Sequence, residues 1–568
     1  MMDCKQVPDR QDPILVVAHF FLEIYRQQLK ASRNNPAECH FLEEAADRDG
    51  SSIFELRILQ GNAWKSRRMM IARLGDGSGS KSRCYYVIYD DHLVVKIPPA
   101  PIVDFSVYTN SILAEQKIAA GLKPRVCITP GVSVILKRVC PSCGFGVDTA
   151  HEEIEARYFK WLNDNPPFQE YLKIQGGFVF FMDLSKYFIL ADVLKAMHAG
   201  RDAELTGEMI NNGELLWKPN EFGGRYGRGA VDVAEELQQL YREFETGLEN
   251  IFHRENISIA ANQYRFHDWF VHELAGKKAR KEQAVYPAST REEMEQLFHA
   301  IVKKNVSAVE RYYQTIRSFL QRKTFLQNKG KMSGIIYNIL DLLAFLNRRG
   351  IALRDFKPDN ILVAGDPGKY PHFLSDTQAF SLGLIDMETA IVMEADSVEG
   401  FGQPMLGGTP LYATPSQLVS NEILAQSLGD IRQIFFLQDW HAAMAMMYHV
   451  VTDEYLFKDT AKILPVIIQT IQEASRANDC SVDVFITVSR SYWQNAYSEF
   501  AYNTNRREHI LKAVSIPVVG SVKEFFKEVF QKEIAWLSAF DILNLFFTRI
   551  FQSMYPETWR TDGPIREG

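Results

Sequence analysis

Asp355 and Asn360 stand five residues apart, with Lys357 and Pro358 between them, in the run Arg354-Asp355-Phe356-Lys357-Pro358-Asp359-Asn360. A carboxylate and an amide at that spacing can face one site only across a loop. Pro358 forces such a loop, because its ring fixes φ and it has no N–H to give a helix. Residues of these types suit phosphoryl transfer, in which positioning and a metal ion do most of the catalysis. The reaction asks for a carboxylate to orient the attacking hydroxyl, hard oxygens for Mg²⁺, and a cation on the nucleotide phosphates. The chain offers all of these in a consistent order, from Lys96 and Glu115 through the Asp355 run to Asp386.

The whole stretch Ile351-Ala352-Leu353-Arg354-Asp355-Phe356-Lys357-Pro358-Asp359-Asn360-Ile361-Leu362-Val363 resembles the catalytic loop of the Ser/Thr protein kinase family. The resemblance implies Asp355 as catalytic base, Lys357 on the γ-phosphate and Asn360 as a metal ligand. Leu382-Gly383-Leu384-Ile385-Asp386-Met387-Glu388 is similar to the strand leading to the family's Asp-Phe-Gly metal site, which implies Asp386 as the main Mg²⁺ ligand. Met387 replaces one apolar residue by another. Glu388 stands where the family has Gly, which removes backbone freedom and adds a carboxylate near the metal. Gly408-Thr409-Pro410-Leu411-Tyr412-Ala413-Thr414-Pro415 resembles the end of an activation segment, with Ser416 where the family's ion-pairing Glu would be. Thr409 and Thr414 suit either phosphorylation or a structural role. Gln438-Asp439-Trp440 resembles the opening of the family's central C-lobe helix, which implies that Asp439 braces the catalytic loop.

The N-terminal half is similar to the family more loosely. Gly75, Gly77 and Gly79 sit between two strand-like runs, where the family's glycine-rich loop covers the phosphates; glycine lets the backbone approach anionic oxygens. The same stretch is no Walker A loop, since Ser80 replaces its second glycine and a strand follows where a helix is needed. Leu93-Val94-Val95-Lys96-Ile97 resembles the strand bearing the phosphate-binding lysine, with Glu115 on the following helix as the ion-pair partner of Lys96. Phe180-Phe181-Met182-Asp183-Leu184 would be the strand and hinge that hold adenine.

The elements that must position these groups follow from periodicity. Residues 1–63 suggest a helical extension, with Asp12-Pro13 as a helix start and Ile14, Val17, Phe20, Phe21 and Ile24 at helical spacing. Strand-like runs follow at Met69–Leu74, Arg83–Tyr89, Leu93–Ile97 and Val132–Val139, with a helix over Ser111–Ala120. Asn211–Gly229 looks like a loop. Val233, Leu237, Leu240, Phe244, Leu248 and Ile251 then form a helical stripe, and Thr290-Arg291-Glu292-Glu293 has the form of a capping box. The expected fold is α+β: a bilobal protein-kinase-like fold with a small antiparallel-sheet N-lobe, a helical C-lobe and a long helical insertion. Its segments would be 64–195 (N-lobe and hinge), 196–332 (insertion), 333–460 (C-lobe with catalytic loop and activation segment) and 461–568 (helical C-terminal part).

Composition narrows the classes. With 63 basic and 70 acidic residues, a net −7, the chain lacks a cationic nucleic-acid footprint. The longest early apolar run, Pro13–Leu22, is too short to span a bilayer, which needs about 20 residues, and no basic region precedes it. Seven cysteines are an odd number and suggest no disulfide framework. Cys140 and Cys143 lack a second ligand pair, so surface-turn cysteines are the simpler expectation. A cytoplasmic protein is expected. The resemblance implies ATP and Mg²⁺ as cofactors, a protein substrate, and γ-phosphate transfer to Ser or Thr hydroxyls, with the insertion available to a partner protein. Two alternatives stand beside it. One is a pseudokinase scaffold, suggested by Leu353, Glu388 and Ser416; the other is a small-molecule kinase of the same fold.

Overall fold

A computed structural model describes residues 13–44, 51–74, 82–141, 151–184, 187–199, 201–255, 263–277, 288–393, 402–476 and 482–559. The chain divides into two compact units, Met1–Leu194 with Gly330–Gly568, and Lys195–Lys329. The architecture is mixed α+β, with an antiparallel N-terminal sheet and a helical C-terminal part.

The sheet of the first unit has six strands, β1 (Ala37–Glu44), β2 (Ser51–Gln60), β3 (Ala63–Leu74), β4 (Arg83–Ile88), β5 (His92–Ile97) and β6 (Phe180–Asp183), ordered as numbered. Every neighbouring pair is antiparallel. Alternation builds it: Phe54, Leu56 and Ile58 of β2 are fully buried on one face. The helix Pro13–Gln28 covers the sheet with Val17, Phe21 and Ile24, and Phe20 stacks on Phe181 with ring centroids 5.4 Å apart. The expected helical extension over residues 1–63 is therefore corrected. Its helix ends at Gln28, and β1 and β2 lie within that range as strands, because the period-two burial of β2 outweighs the helical start.

Val132–Val139 is also corrected from strand to helix, Ser133–Val139. The buried Glu155 carboxylate accepts the N–H groups of Val132 and Ser133, both at 3.0 Å, and so satisfies the first turn. The helix Phe105–Gly121 starts earlier than expected, where Asp104 caps it by accepting the Ser106 N–H at 2.7 Å. Its buried residues are Tyr108, Ile112 and Glu115, one helical stripe that ends on a carboxylate.

Phe188–Ile189, Ile361–Gly365, Phe380–Ile385 and Cys127–Ile128, from both halves of the chain, form a four-stranded sheet whose last pair is parallel. The helix Ile431–Thr452 starts seven residues before Gln438 and is buried on nearly all sides, as an all-round apolar helix must be. Helices Leu464–Arg476, Val482–Arg506, Gly520–Phe530 and Ala539–Met554 follow.

The second unit is helical around its own core, in which Phe244 stacks on Trp269 at 5.2 Å. Asn211–Gly229, expected as a loop, carries a 3₁₀ turn (Gly213–Trp217) and a helix (Pro219–Tyr226). Pro219 is preorganised for a first turn, and burial of Phe222 and Tyr226 at i, i+4 outweighs the glycines. Thr290 lies inside the helix Ala288–Lys304 and does not cap it. The helix ends at Lys304 and is succeeded by Val306–Arg349. Among the described residues no helix is long and apolar enough to cross a membrane.

Candidate functional site

Antiparallel register places Lys96 on β5 opposite Cys84 of β4 on one side and Phe180 of β6 on the other. The strand Phe380–Ile385 ends at Asp386, which adopts the left-handed region with φ 61°. That turn brings the Asp386 carboxylate to the lysine, with Oδ1 2.7 Å from Lys96 Nζ across 290 residues of sequence. Glu388 Oε2 lies 2.7 Å from the same nitrogen. Positive φ falls on Asp386 and not on Glu388, so the missing glycine costs no backbone strain at that position.

Glu115 was expected to pair with Lys96. The ion pairs of Lys96 among the described residues go instead to Asp386 and Glu388. Glu115 accepts the Met387 backbone N–H, while its buried Oε2 has no hydrogen-bond partner. Burial, with the charges of Asp386 and Glu388, pushes the Glu115 carboxyl up to about 8. Burial disfavours charge on Lys96, but Asp386, Glu388 and Glu115 outweigh it and hold the ammonium above its ordinary range.

Below this cluster, Gly350 at φ 65° ends the helix Val306–Arg349, and the chain turns through Ile351–Ala352 into the loop at Asp355. Asp439 holds that loop by accepting the N–H groups of Leu353 at 2.7 Å and Arg354 at 2.8 Å. Desolvation pushes its carboxyl up to about 7 against those two bonds. Arg354, at φ 65°, is buried; it donates to Gln438 at 3.2 Å and to the Met405 carbonyl at 2.8 Å. Ser416 is buried too, and Gln438 donates to it at 2.9 Å. The buried Arg354 guanidinium thus donates to neutral acceptors, and Ser416 joins them through Gln438.

The Asp355 carboxylate gathers three partners. Lys357 Nζ is 2.8 Å from Oδ2, Asn360 Nδ2 donates to Oδ2 at 3.0 Å, and the Thr409 hydroxyl donates to Oδ1 at 2.9 Å. Lys357 also donates to Thr409 at 2.9 Å. Thr409 and Thr414 are 3% and 0% exposed, which favours a structural role for both.

Lys96, Glu115, Asp355, Lys357, Asp386 and Glu388 line one cleft of about 830 Å³. Asn360 borders it through Asp355. Gly75, Gly77 and Gly79 lie outside the described residues, as does Cys143. Cys84, which faces Lys96 in the strand register, had no signal in the sequence; burial pushes its thiol up to about 12. The Glu388 contact with Lys96 required the turn at Asp386.

Among the described residues no His, Cys, Asp and Glu side chains form a preassembled metal cage. Mg²⁺ does not need one, since it commonly takes one or two carboxylates and fills its octahedron with water and phosphate oxygens. The Asp386 carboxylate and the Asn360 carboxamide oxygen are hard donors of that kind. Asn360 spends its Nδ2 on Asp355, leaving the oxygen as its donor atom to a cation.

No known protein family, curated protein or solved structure matches this chain.

Proposed function

We propose that this chain is an ATP-dependent protein kinase of bilobal kinase-like fold, transferring the γ-phosphate of ATP to Ser or Thr hydroxyls. The observation that carries the reading is the convergence of Lys96, Asp386, Asp355 and Lys357 on a single cleft. On this reading the six-stranded sheet is the small lobe and the helical C-terminal part is the large one. Lys96 holds nucleotide phosphates. Asp355 accepts the acceptor hydroxyl and takes its proton as the oxygen forms its bond to the γ-phosphorus and the bond to ADP breaks. The Thr409 hydroxyl already bonded to Asp355 supports a carboxylate shaped to receive such a donor. Lys357, 2.8 Å from Asp355, carries positive charge to the transferring group. Mg²⁺, held by Asp386 and Asn360 when bound, would neutralise charge on the phosphates.

The test is label transfer from γ-labelled ATP with Mg²⁺ to a generic protein acceptor, comparing the wild type with Asp355→Asn. Label on Ser or Thr that falls by about 100-fold or more in the variant is expected. A second reading, a nucleotide-binding module without transfer, draws on the Glu388 carboxylate seated on Lys96. It predicts nucleotide-dependent thermal stabilisation with no label on protein or small alcohols. Label on a small alcohol alone would make the chain a small-molecule kinase.

A further inference from the structure

The Lys96 side chain is 3% exposed, and its ammonium has two carboxylates at 2.7 Å, Asp386 and Glu388. The ammonium gives one of its three N–H donors to Asp386 as a hydrogen bond, and Glu388 holds its charge as an ion pair. The carboxylates differ in freedom. Asp386 is 20% exposed on a short side chain fixed by a left-handed backbone turn, whereas Glu388 is 37% exposed on a longer one. An anion entering the cleft must share Lys96 with Asp386 or displace Glu388, and Glu388 is the partner free to leave.

Charge at the cleft points the same way. Lys96, Lys357 and Arg476 line the cleft with Glu115, Asp355, Asp386 and Glu388, so a phosphate chain meets carboxylates beside the cations it could use. Glu388 is one of those carboxylates and also covers the group on which phosphate would land.

We infer that Glu388 sets phosphate affinity by competing with the nucleotide for Lys96: the Glu388–Lys96 pair is a closed state that nucleotide binding must open. The inference rests on the reading of this cleft as a nucleotide site. It makes Glu388 a positioning residue, acting through Lys96, and it assigns the 2.7 Å contact a function that the acid's exposure alone would not suggest.

The experiment titrates a fluorescent ADP derivative into the full chain as wild type, Glu388→Gln, Glu388→Ala and Lys96→Met, with a chelator and with Mg²⁺. Both Glu388 variants should bind about twofold to fivefold tighter under chelator, the range expected for a partly exposed charge pair. The gain should shrink as salt screens the competing charge. A second readout needs no nucleotide: acylation of Lys96 by an amine-reactive ester, mapped by mass spectrometry, should run several-fold faster in Glu388→Gln. Equal or weaker ADP binding in the Glu388 variants, with wild-type binding intact and lost in Lys96→Met, overturns this inference alone. Weakening confined to the Mg²⁺ series would likewise overturn it, by making Glu388 a cation ligand. Absence of ADP binding in every protein would overturn the nucleotide reading itself, and this inference with it.

Discussion

The Asp355 carboxylate accepts the Thr409 hydroxyl at 2.9 Å, which ties the loop at 355 to a segment more than fifty residues further along the chain. Because Lys357 also donates to Thr409 at 2.9 Å, one hydroxyl bridges a carboxylate and an ammonium that already lie 2.8 Å apart. Thr409→Val should lower stability by about 1 kcal/mol through the lost buried hydrogen bonds. On the proposed kinase reading it should also lower phosphate transfer by about tenfold, and Thr409→Ser should restore most of both. Denaturant midpoints and single-turnover rates on the three proteins check this.

Asp439 satisfies two buried N–H groups at Leu353 and Arg354. Asp439→Ala leaves both donors without their acceptor, at about 1–3 kcal/mol each. A total loss of about 3 kcal/mol is expected, and Asp439→Asn, which keeps one acceptor oxygen, should lose less. Urea unfolding followed by circular dichroism gives the comparison. An unchanged midpoint in the alanine variant would show that the loop at 355 does not depend on this brace.

His441 is fully buried, with its ring stacked on Phe457 at 4.7 Å and Nδ1 3.3 Å from the Tyr412 carbonyl. Burial pushes the imidazole down to about 4. The unfolded chain takes up this proton near 6.5 and the folded chain resists until about 4. The stabilisation is therefore present above pH 6.5 and is lost as pH falls through that window, by about 3 kcal/mol in all. Asp439, raised to about 7, works in the opposite sense and is common to both proteins compared. His441→Phe should accordingly lose less stability than the wild type between pH 6.5 and 4, measured by denaturant titration at several pH values.

Gly383 lies on the strand that delivers Asp386, and a Cβ there would stand 2.5 Å from the Val126 carbonyl oxygen. Backbone cannot give way as a flexible side chain can, so Gly383→Ala should cost about 1–3 kcal/mol. Its displacement of the strand should also weaken nucleotide-induced thermal stabilisation. A thermal midpoint equal to wild type would show that the two strands can separate without cost.

The sequence by itself determined the local pieces. Pro358 cannot sit inside an α-helix and instead opens the 3₁₀ turn Pro358–Asn360, so Asp355 and Asn360 meet across a bend, at 3.0 Å. The apolar stripe Ile339, Leu343 and Leu346 makes a helix whose end at Gly350 takes a positive φ. Lys96 on a strand was legible from its β-rich run, and Asp386 after a strand from the resemblance of its segment. Short segments were not: β-branched residues at Val132–Val139 suit a strand, but the Glu155 carboxylate, from a helix that follows, supplies an acceptor for a helical first turn. Only tertiary structure chose the partners of Lys96. Glu115 and Asp386 are both acids that could reach a lysine, and nothing within 290 residues of intervening sequence ranks them. Strand register, the left-handed turn at Asp386 and the packing of the helix Phe105–Gly121 decide distances of a few ångströms between elements. An ion pair falls off over those same few ångströms, so the chemistry of the cleft is settled by packing that no local pattern encodes.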